Sequence, residues 1–327
     1  MADAVTSYTS ADSIPYKLLQ DHRTIASIIR TRSIPPRHVQ FIPTNKCNLN
    51  CSFCSCSNED RSQEMPLHDM VRAVDLLAAH GTVGMTITGG GEPMMYPYLQ
   101  NLLEFAYWKE IKTGLVTNGL LLHPNKAFSL NTLSWCRISY GDDRDEFSQD
   151  HVANLLQLVS LTRHIGWAIS YVVSKNPNIE RIKQTIALAM ALKATHIRFV
   201  ADLLCADEVP MQEVEKELED YLELYTVPVI FQARANPEKE QDCYICYLKP
   251  VVTPDLKVYA CCGVQYALPS PTKNFPKELC LGTIWNFTSG KRNKPFQGAK
   301  ACVTCYYGAY NRVLKGLLSD IDHKEFV

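Results

Sequence analysis

Six short apolar runs, each followed by a stretch with helical spacing, constrain this chain more than any other feature. The runs are His38–Thr44, Val83–Thr88, Thr113–Thr117, Trp135–Ser139, Trp167–Val173 and His196–Val200. They are rich in Val, Ile, Thr and aromatics, which suit a pleated surface. Between them apolar residues recur at helical spacing: Leu67, Val71, Val74 and Leu77 in one stretch, Ile179, Ile182, Ile186 and Met190 in another. Strand–helix alternation means parallel strands joined by right-handed crossovers. Six such units predict an α/β fold, a partial (β/α)6 TIM-like barrel, with its active site at the C-terminal ends of the strands. From about residue 232 the alternation stops and cysteines become dense. The expected organisation is an N-terminal extension over 1–37 ending at the Pro35-Pro36 breaker, a barrel over 38–231, and a smaller cysteine-rich C-terminal domain over 232–327.

The chain has 327 residues, 46% of them hydrophobic, enough for one large core or a large domain plus a small one. Charged residues make up 20% and nearly cancel, at a net charge of -1. That balance gives no surface for coating nucleic acid, so nucleic acid is not an expected partner. The N-terminus has no apolar signal core, and no run reaches the roughly 20 apolar residues that cross a bilayer. A soluble, cytoplasmic protein without a membrane partner is expected. Its 13 cysteines are then not disulfide staples, because the cytosol is reducing; clustered thiols there point to metal or catalysis.

Cys47, Cys51 and Cys54 follow the first strand in Thr44-Asn-Lys-Cys-Asn-Leu-Asn-Cys-Ser-Phe-Cys. Thiolates hold iron–sulfur clusters, and three of them on a [4Fe–4S] cube leave one iron open. An open coordination position is what a metal site needs to transform a small molecule. A zinc knuckle with Cys56 as fourth ligand is the other reading. The sequence resembles the radical S-adenosylmethionine (SAM) superfamily, whose signature is Cys-x3-Cys-x2-Cys with an aromatic, here Phe53, before the last cysteine. The resemblance implies a [4Fe–4S] cluster that binds SAM at its open iron and Phe53 near the adenine. It also implies a flavodoxin- or ferredoxin-type electron donor, and reductive release of a 5′-deoxyadenosyl radical. The protein's part is to position these groups and exclude side reactions.

Gly89-Gly90-Gly91-Glu92-Pro93 follows the second strand. Consecutive glycines let backbone approach a ligand closely, and the run resembles the superfamily's GGEP motif, whose backbone meets the SAM amino group. Thr117-Asn118-Gly119 follows the third strand and resembles another recurrent element, though an ordinary Asn-Gly turn explains it equally. Ser139, taken as the end of the fourth strand in Arg137-Ile-Ser-Tyr-Gly-Asp142, resembles a residue pair that contacts SAM. Ser170 on the fifth strand, or Asn176 beyond it, could reach the SAM ribose or carboxylate; barrel packing is the alternative.

The C-terminal cysteines are Cys243, Cys246, Cys261, Cys262, Cys280, Cys302 and Cys305. Cys302-x2-Cys305 is a metal-binding spacing, and Pro254-Asp255 marks a hairpin turn between Cys246 and Cys261-Cys262. The order, with Leu281-Gly282-Thr283-Ile284, resembles the SPASM/twitch extensions of radical SAM enzymes, which carry auxiliary clusters. Counting ligands favours one auxiliary [4Fe–4S] cluster, on Cys246, Cys261, Cys302 and Cys305. Cys243 or Cys262 could replace a member, and a structural zinc would suit four cysteines as well.

Cys205, just past the sixth strand, could donate a hydrogen atom to a substrate radical, or simply pack. Cys136 is expected in the core, and Tyr306, Tyr307 and Tyr310 under the auxiliary site. The expected function is hydrogen-atom abstraction from a small-molecule or peptide substrate, leading to oxidation, cross-linking or epimerisation. Nucleoside or nucleotide modification is the alternative. A non-catalytic iron–sulfur or zinc scaffold is the reading from another class, but a scaffold needs no glycine loop for a SAM amine.

Overall fold

Seven parallel strands stand side by side in chain order: β1 (His38–Phe41), β2 (Gly84–Ile87), β3 (Lys112–Thr117), β4 (Leu133–Gly141), β5 (Gly166–Val173), β6 (Ile197–Ala201) and β7 (Val229–Gln232). The computed structural model describes residues 15–57, 59–142, 148–224, 226–232, 242–262, 275–302 and 305–322. Ahead of the strands lie helices α1 (Tyr16–Leu19) and α2 (His22–Thr31). Between them run α3 (Leu67–Ala79), α4 (Leu99–Trp108), α5 (Ala127–Leu130), α6 (Gln149–Leu161), α7 (Ile179–Ala191), α8 (Met211–Glu217) and α9 (Glu219–Leu222).

Alternation along the strands builds the main core. Phe41, Ile87, Leu115, Ile138, Ile169 and Phe199 are fully buried against Val74 and Leu77 of α3, Leu102 and Leu103 of α4, and Ile182 and Ile186 of α7. Each such side chain contributes about 1.5–3 kcal/mol. The intervening residues of the same strands face the lumen of the partial barrel. Gly114 must be glycine there, because a β-carbon would overlap the indole of Trp135 on the next strand.

Three helices hand the chain to the next strand through the same C-terminal turn. After α3, Gly81 N–H donates to Ala78 O and Thr82 N–H to Leu77 O; after α4, Glu110 to Tyr107 and Ile111 to Ala106; after α7, Lys193 to Met190 and Ala194 to Ala189. These paired bonds form the Schellman motif, whose penultimate residue must be left-handed. Gly81, Glu110 and Lys193 have φ of 97°, 58° and 52°.

The strands differ from expectation at three places. The first is shorter than His38–Thr44, because the chain turns into the cysteine loop after Phe41. The fourth is longer, so Ser139 lies inside β4 and not at its end. The seventh was not foreseen: four residues behind Pro228 carry too little pattern to announce a strand.

The C-terminal part continues the same sheet. After the short helix α10 (Ile245–Leu248), β8 (Val251–Val252) pairs in parallel with β1, at Gln40↔Val251 and Phe41↔Val252. Next come β9 (Lys257–Tyr259) and β10 (Cys280–Thr283), both antiparallel, then α11 (Ile284–Ser289) and α12 (Gly308–Leu318). The hairpin turn is centred on Pro254-Asp255, with Leu256 at φ 62° donating to Thr253 O. A second core joins both ends of the chain: Leu18, Ile28 and Ile34 pack with Leu248, Tyr259, Tyr310 and Leu314. Arg292 fastens the join, its Nε donating to Ile34 O at 2.7 Å. No described helix is long and apolar enough to cross a membrane.

Candidate active site

Loops at the C-terminal ends of β1, β2 and β3 are tied to one another by hydrogen bonds. The cysteine loop leaves β1 and runs against the glycine loop after β2: Gly91 N–H donates to Thr44 O at 3.1 Å, and Glu92 N–H to Lys46 O at 2.8 Å. A β-carbon on Gly90 would overlap the Asn45 amide, and one on Gly91 the Asn45–Lys46 backbone. Close approach is therefore required here by the cysteine loop itself. Any side chain at Gly90 would disturb that loop as well as a ligand above it. Gly89 accepts the S–H of Cys56 on its carbonyl, at 3.7 Å.

Glu92 is buried and works as a clasp. Its Oε1 accepts from Thr117 Oγ1 at 2.6 Å and Met94 N at 2.9 Å, and its Oε2 from Asn118 N at 2.7 Å. Pro93 opens the short 3-10 turn beneath it. Asn118 reaches back to the cysteine loop, Nδ2 donating to Asn48 Oδ1 at 2.7 Å. Sequence alone assigned Glu92 and Asn118 to cofactor contact; the structure engages both with protein groups.

Cys47, Cys51 and Cys54 are half-buried on this loop. Burial pushes the Cys54 thiol up, and the nearby Cys47 adds to the shift. Cys56 is fully buried, which raises its thiol far above the usual range and keeps it protonated toward Gly89. Among the described residues no three Cys, His, Asp or Glu side chains converge on one point, as a mononuclear ion requires. A cube bound through separate irons instead needs thiols spread around it. Asn45 Oδ1, buried beside Gly90 without a hydrogen-bond partner among the described residues, offers an acceptor that an ammonium such as that of SAM would satisfy. Phe53 packs its ring on Gly141 at the end of β4, where a β-carbon would overlap it.

Ser139 and Ser170 stand in register on β4 and β5 and face the lumen, with Arg198 of β6 next in the same row. Asp142 is spent on structure: it accepts from Tyr171 Oη at 2.6 Å, Ser174 N at 2.7 Å and Asn178 N at 2.9 Å. Asn176 lies beyond β5 and is engaged with Ser174. Deeper in the barrel His196 is pushed down to about 3 by burial, then by Arg137 and Arg198. His38 is held at about 3 by burial and by Lys249 and Lys17, and its Nε2 meets Thr86 Oγ1 at 2.8 Å. Cys205 sits in the turn after β6; burial, Asp202 and Glu208 raise its thiol, so it stays S–H. Cys136 is core, fully buried.

The second core gathers all seven C-terminal cysteines: Cys243 and Cys246 within it, and Cys261, Cys262, Cys280, Cys302 and Cys305 packed against it. Cys305 Sγ accepts from Tyr307 N at 3.4 Å and Asn311 Nδ2 at 3.8 Å. N–H donors of this kind suit a cluster thiolate. Cys262 Sγ meets Tyr307 Oη at 2.9 Å, and Lys249 Nζ donates to the same hydroxyl at 3.2 Å. Neither the Lys249–Tyr307 contact nor the lumen arginines carry a sequence motif, and the arginines were legible only as inward positions of strands. A shallow groove of about 580 Å³ along α8 and α9 contains none of the motif residues.

Residues 41–141 match the family model described as the radical SAM superfamily. A GTP 3',8-cyclase of Synechococcus sp. (strain CC9902) is 32% identical over 119 residues, 34% of this chain and 34% of the cyclase. A PqqA peptide cyclase of Granulibacter bethesdensis (strain ATCC BAA-1260 / CGDNIH1) is 25% identical over 174 residues, 49% of this chain and 46% of that enzyme. The chain thus spans between a third and a half of the length of these relatives. Among solved structures, Streptococcus suis SuiB bound to its precursor peptide SuiA superposes with a TM-score of 0.59 at 17% identity, covering 92% of this chain and 78% of SuiB. The fold, the cysteine loop bound to its glycine loop, and the family match over that same stretch agree: over residues 41–141 this chain is similar to the radical SAM superfamily.

Proposed function

We propose that this chain cleaves SAM reductively and uses the resulting radical to take a hydrogen atom from a small-molecule or peptide substrate, with oxidation, cross-linking or epimerisation as the outcome. The observation that carries this reading is the triad Cys47, Cys51 and Cys54 on a loop bonded to the glycine loop and to Asn118 above the lumen. A [4Fe–4S] cluster held by the triad, with SAM on its open iron, would supply the electron that splits the sulfonium. The chain's own residues then have separate tasks. Phe53, braced on Gly141, offers a flat apolar face to adenine. Asn45 Oδ1 and the Gly90–Gly91 backbone receive the SAM amine, and Ser139 and Ser170 offer hydroxyls to its ribose or carboxylate. Cys205, kept protonated, holds a hydrogen atom for a substrate radical.

Residues 38–231 form the catalytic barrel in this reading, and 232–327 an auxiliary unit holding one [4Fe–4S] cluster on Cys246, Cys261, Cys302 and Cys305. Cys262 is drawn to Tyr307, which favours Cys261 as the hairpin's ligand. A flavodoxin- or ferredoxin-type protein is the proposed electron donor. Similarity to a peptide cyclase and to a peptide-bound structure supports a peptide substrate. Similarity to a GTP cyclase supports a nucleotide as the second reading.

Wild-type protein, reconstituted anaerobically and reduced with dithionite, should convert SAM to 5′-deoxyadenosine. The combined Cys47→Ala, Cys51→Ala and Cys54→Ala variant should form none, while keeping its C-terminal metal. Continued 5′-deoxyadenosine formation by that variant would overturn the reading.

A further inference from the structure

Asn311 lies in the first turn of α12, on the buried face that also carries Tyr310 and Leu314. It is only 2% exposed. Asparagine is a weak helix former, because its amide competes with the backbone for hydrogen bonds. Burying that amide in an apolar core is costly as well unless it is satisfied. Three contacts offset both drawbacks. Oδ1 accepts from Tyr244 N and from Ile245 N, each at 2.8 Å, and Nδ2 donates to Cys305 Sγ at 3.8 Å. Two backbone N–H groups converge on one amide atom, so that atom must be the oxygen. The orientation of the side chain is thereby fixed, with its NH2 group toward the sulfur.

Cys305 thus receives two N–H donors, Asn311 Nδ2 and Tyr307 N, the latter at 3.4 Å. An N–H aimed at sulfur favours the thiolate and stabilises negative charge on whatever the thiolate holds. The reduction potential of an iron–sulfur cluster therefore rises with such bonds, since the reduced cluster carries one more negative charge. Tyr307 supplies its donor from the backbone, but Asn311 supplies one from a side chain. The same side chain grips Tyr244 and Ile245, the two residues between Cys243 and Cys246. One amide therefore joins two segments that bear cysteines of the second core.

We infer that Asn311 is a positioning residue of the auxiliary cluster: through Cys305 it raises the cluster's reduction potential, and through Tyr244 and Ile245 it seats the segment that carries Cys246. This role rests on the auxiliary [4Fe–4S] cluster proposed above, so the test must separate a failure of the role from a failure of the cluster.

Full-length protein reconstituted with both clusters is poised over a range of potentials, and the reduced clusters are followed by electron paramagnetic resonance. The first cluster is recognised by the change of its signal when SAM is added, which leaves the second to be measured. Asn311→Asp keeps an acceptor oxygen for Tyr244 and Ile245, removes the donor and adds a carboxylate beside the sulfur. At the wild-type midpoint of the second cluster, its ratio of reduced to oxidised form should fall about tenfold, a shift of about 59 mV for one electron. Asn311→Ser loses the donor without adding charge. It should shift the midpoint in the same direction by less, and it serves if the Asp variant does not fold. The first cluster's ratio and dithionite-driven 5′-deoxyadenosine formation should stay within about twofold of wild type, since their ligands lie elsewhere. A second cluster whose midpoint does not move, in variants that keep about eight irons per chain, would overturn the role and leave the auxiliary cluster in place. Loss of the second cluster's iron from both variants would also overturn it and reduce Asn311 to a structural strut. Wild-type protein with zinc, or no metal, at the second core would refute the auxiliary cluster itself, and the role with it.

Discussion

Glu92 shows how a motif residue can tie the loops of its own site together. Three donors from two loops converge on its carboxylate, and none of them can turn away without leaving a buried group unsatisfied. Glu92→Gln replaces one acceptor oxygen with an amide that points a donor at a donor. The expected cost is about 1–3 kcal/mol, read as a lower thermal midpoint together with weaker iron retention. An unchanged midpoint with weakened SAM binding would return Glu92 to direct cofactor contact. The cysteine triad and the glycine run stood out as candidates because residue type and spacing are visible in a sequence. The duties of Glu92, Asn45 and Asp142 did not, since a side chain's hydrogen-bond partners depend on where separate loops meet.

Among the elements, alternation made β2, β3, β5 and β6 legible to within a residue or so, because each combines β-branched residues with a following helical stripe. It missed β7, where four residues behind a proline carry no period. The helix ends show a different limit. Gly81 announces its left-handed turn, but Glu110 and Lys193 occupy the same position after α4 and α7 and look like ordinary surface charges. Their side chains are exposed, so little packing is lost if they are removed. A left-handed conformation costs a β-carbon-bearing residue about 1–2 kcal/mol, partly offset by the greater freedom of glycine in the unfolded chain. Glu110→Gly and Lys193→Gly should therefore each stabilise the protein by about 0.5–1 kcal/mol. Gly81→Ala should destabilise it by about 1 kcal/mol, since its new β-carbon would also press on Pro35. Chemical-denaturation midpoints that moved in the opposite direction would show that these turns are not under strain.

At the scale of the whole molecule, the cysteine-rich end is built onto the barrel and not hung from it. Val251 and Val252 extend the sheet from β1, the strand that leads into the catalytic loop, and the N-terminal helices complete the core on which the C-terminal cysteines sit. Sequence could show that the end was rich in cysteine, but not that residues 16–34 would pack against it, because contacts across nearly the whole chain leave no local pattern. The arrangement lets the two cysteine groups be tested separately. Three thiols suit one cube near β1, and at least four remain around the second core, so anaerobic reconstitution should yield about eight irons per chain, four in each cube. Combining Cys302→Ala with Cys305→Ala removes two ligands from the second core and none from the catalytic loop. Iron should fall to about four per chain, with SAM cleavage retained because the triad and its clasp at Glu92 are untouched. Product formation should drop if the second cluster carries electrons or holds substrate. Wild-type protein with about four irons and one zinc would refute the two-cluster arrangement. The terminal cysteines would then be a structural zinc site closing the sheet beside β1, and the radical chemistry would rest on the first loop alone.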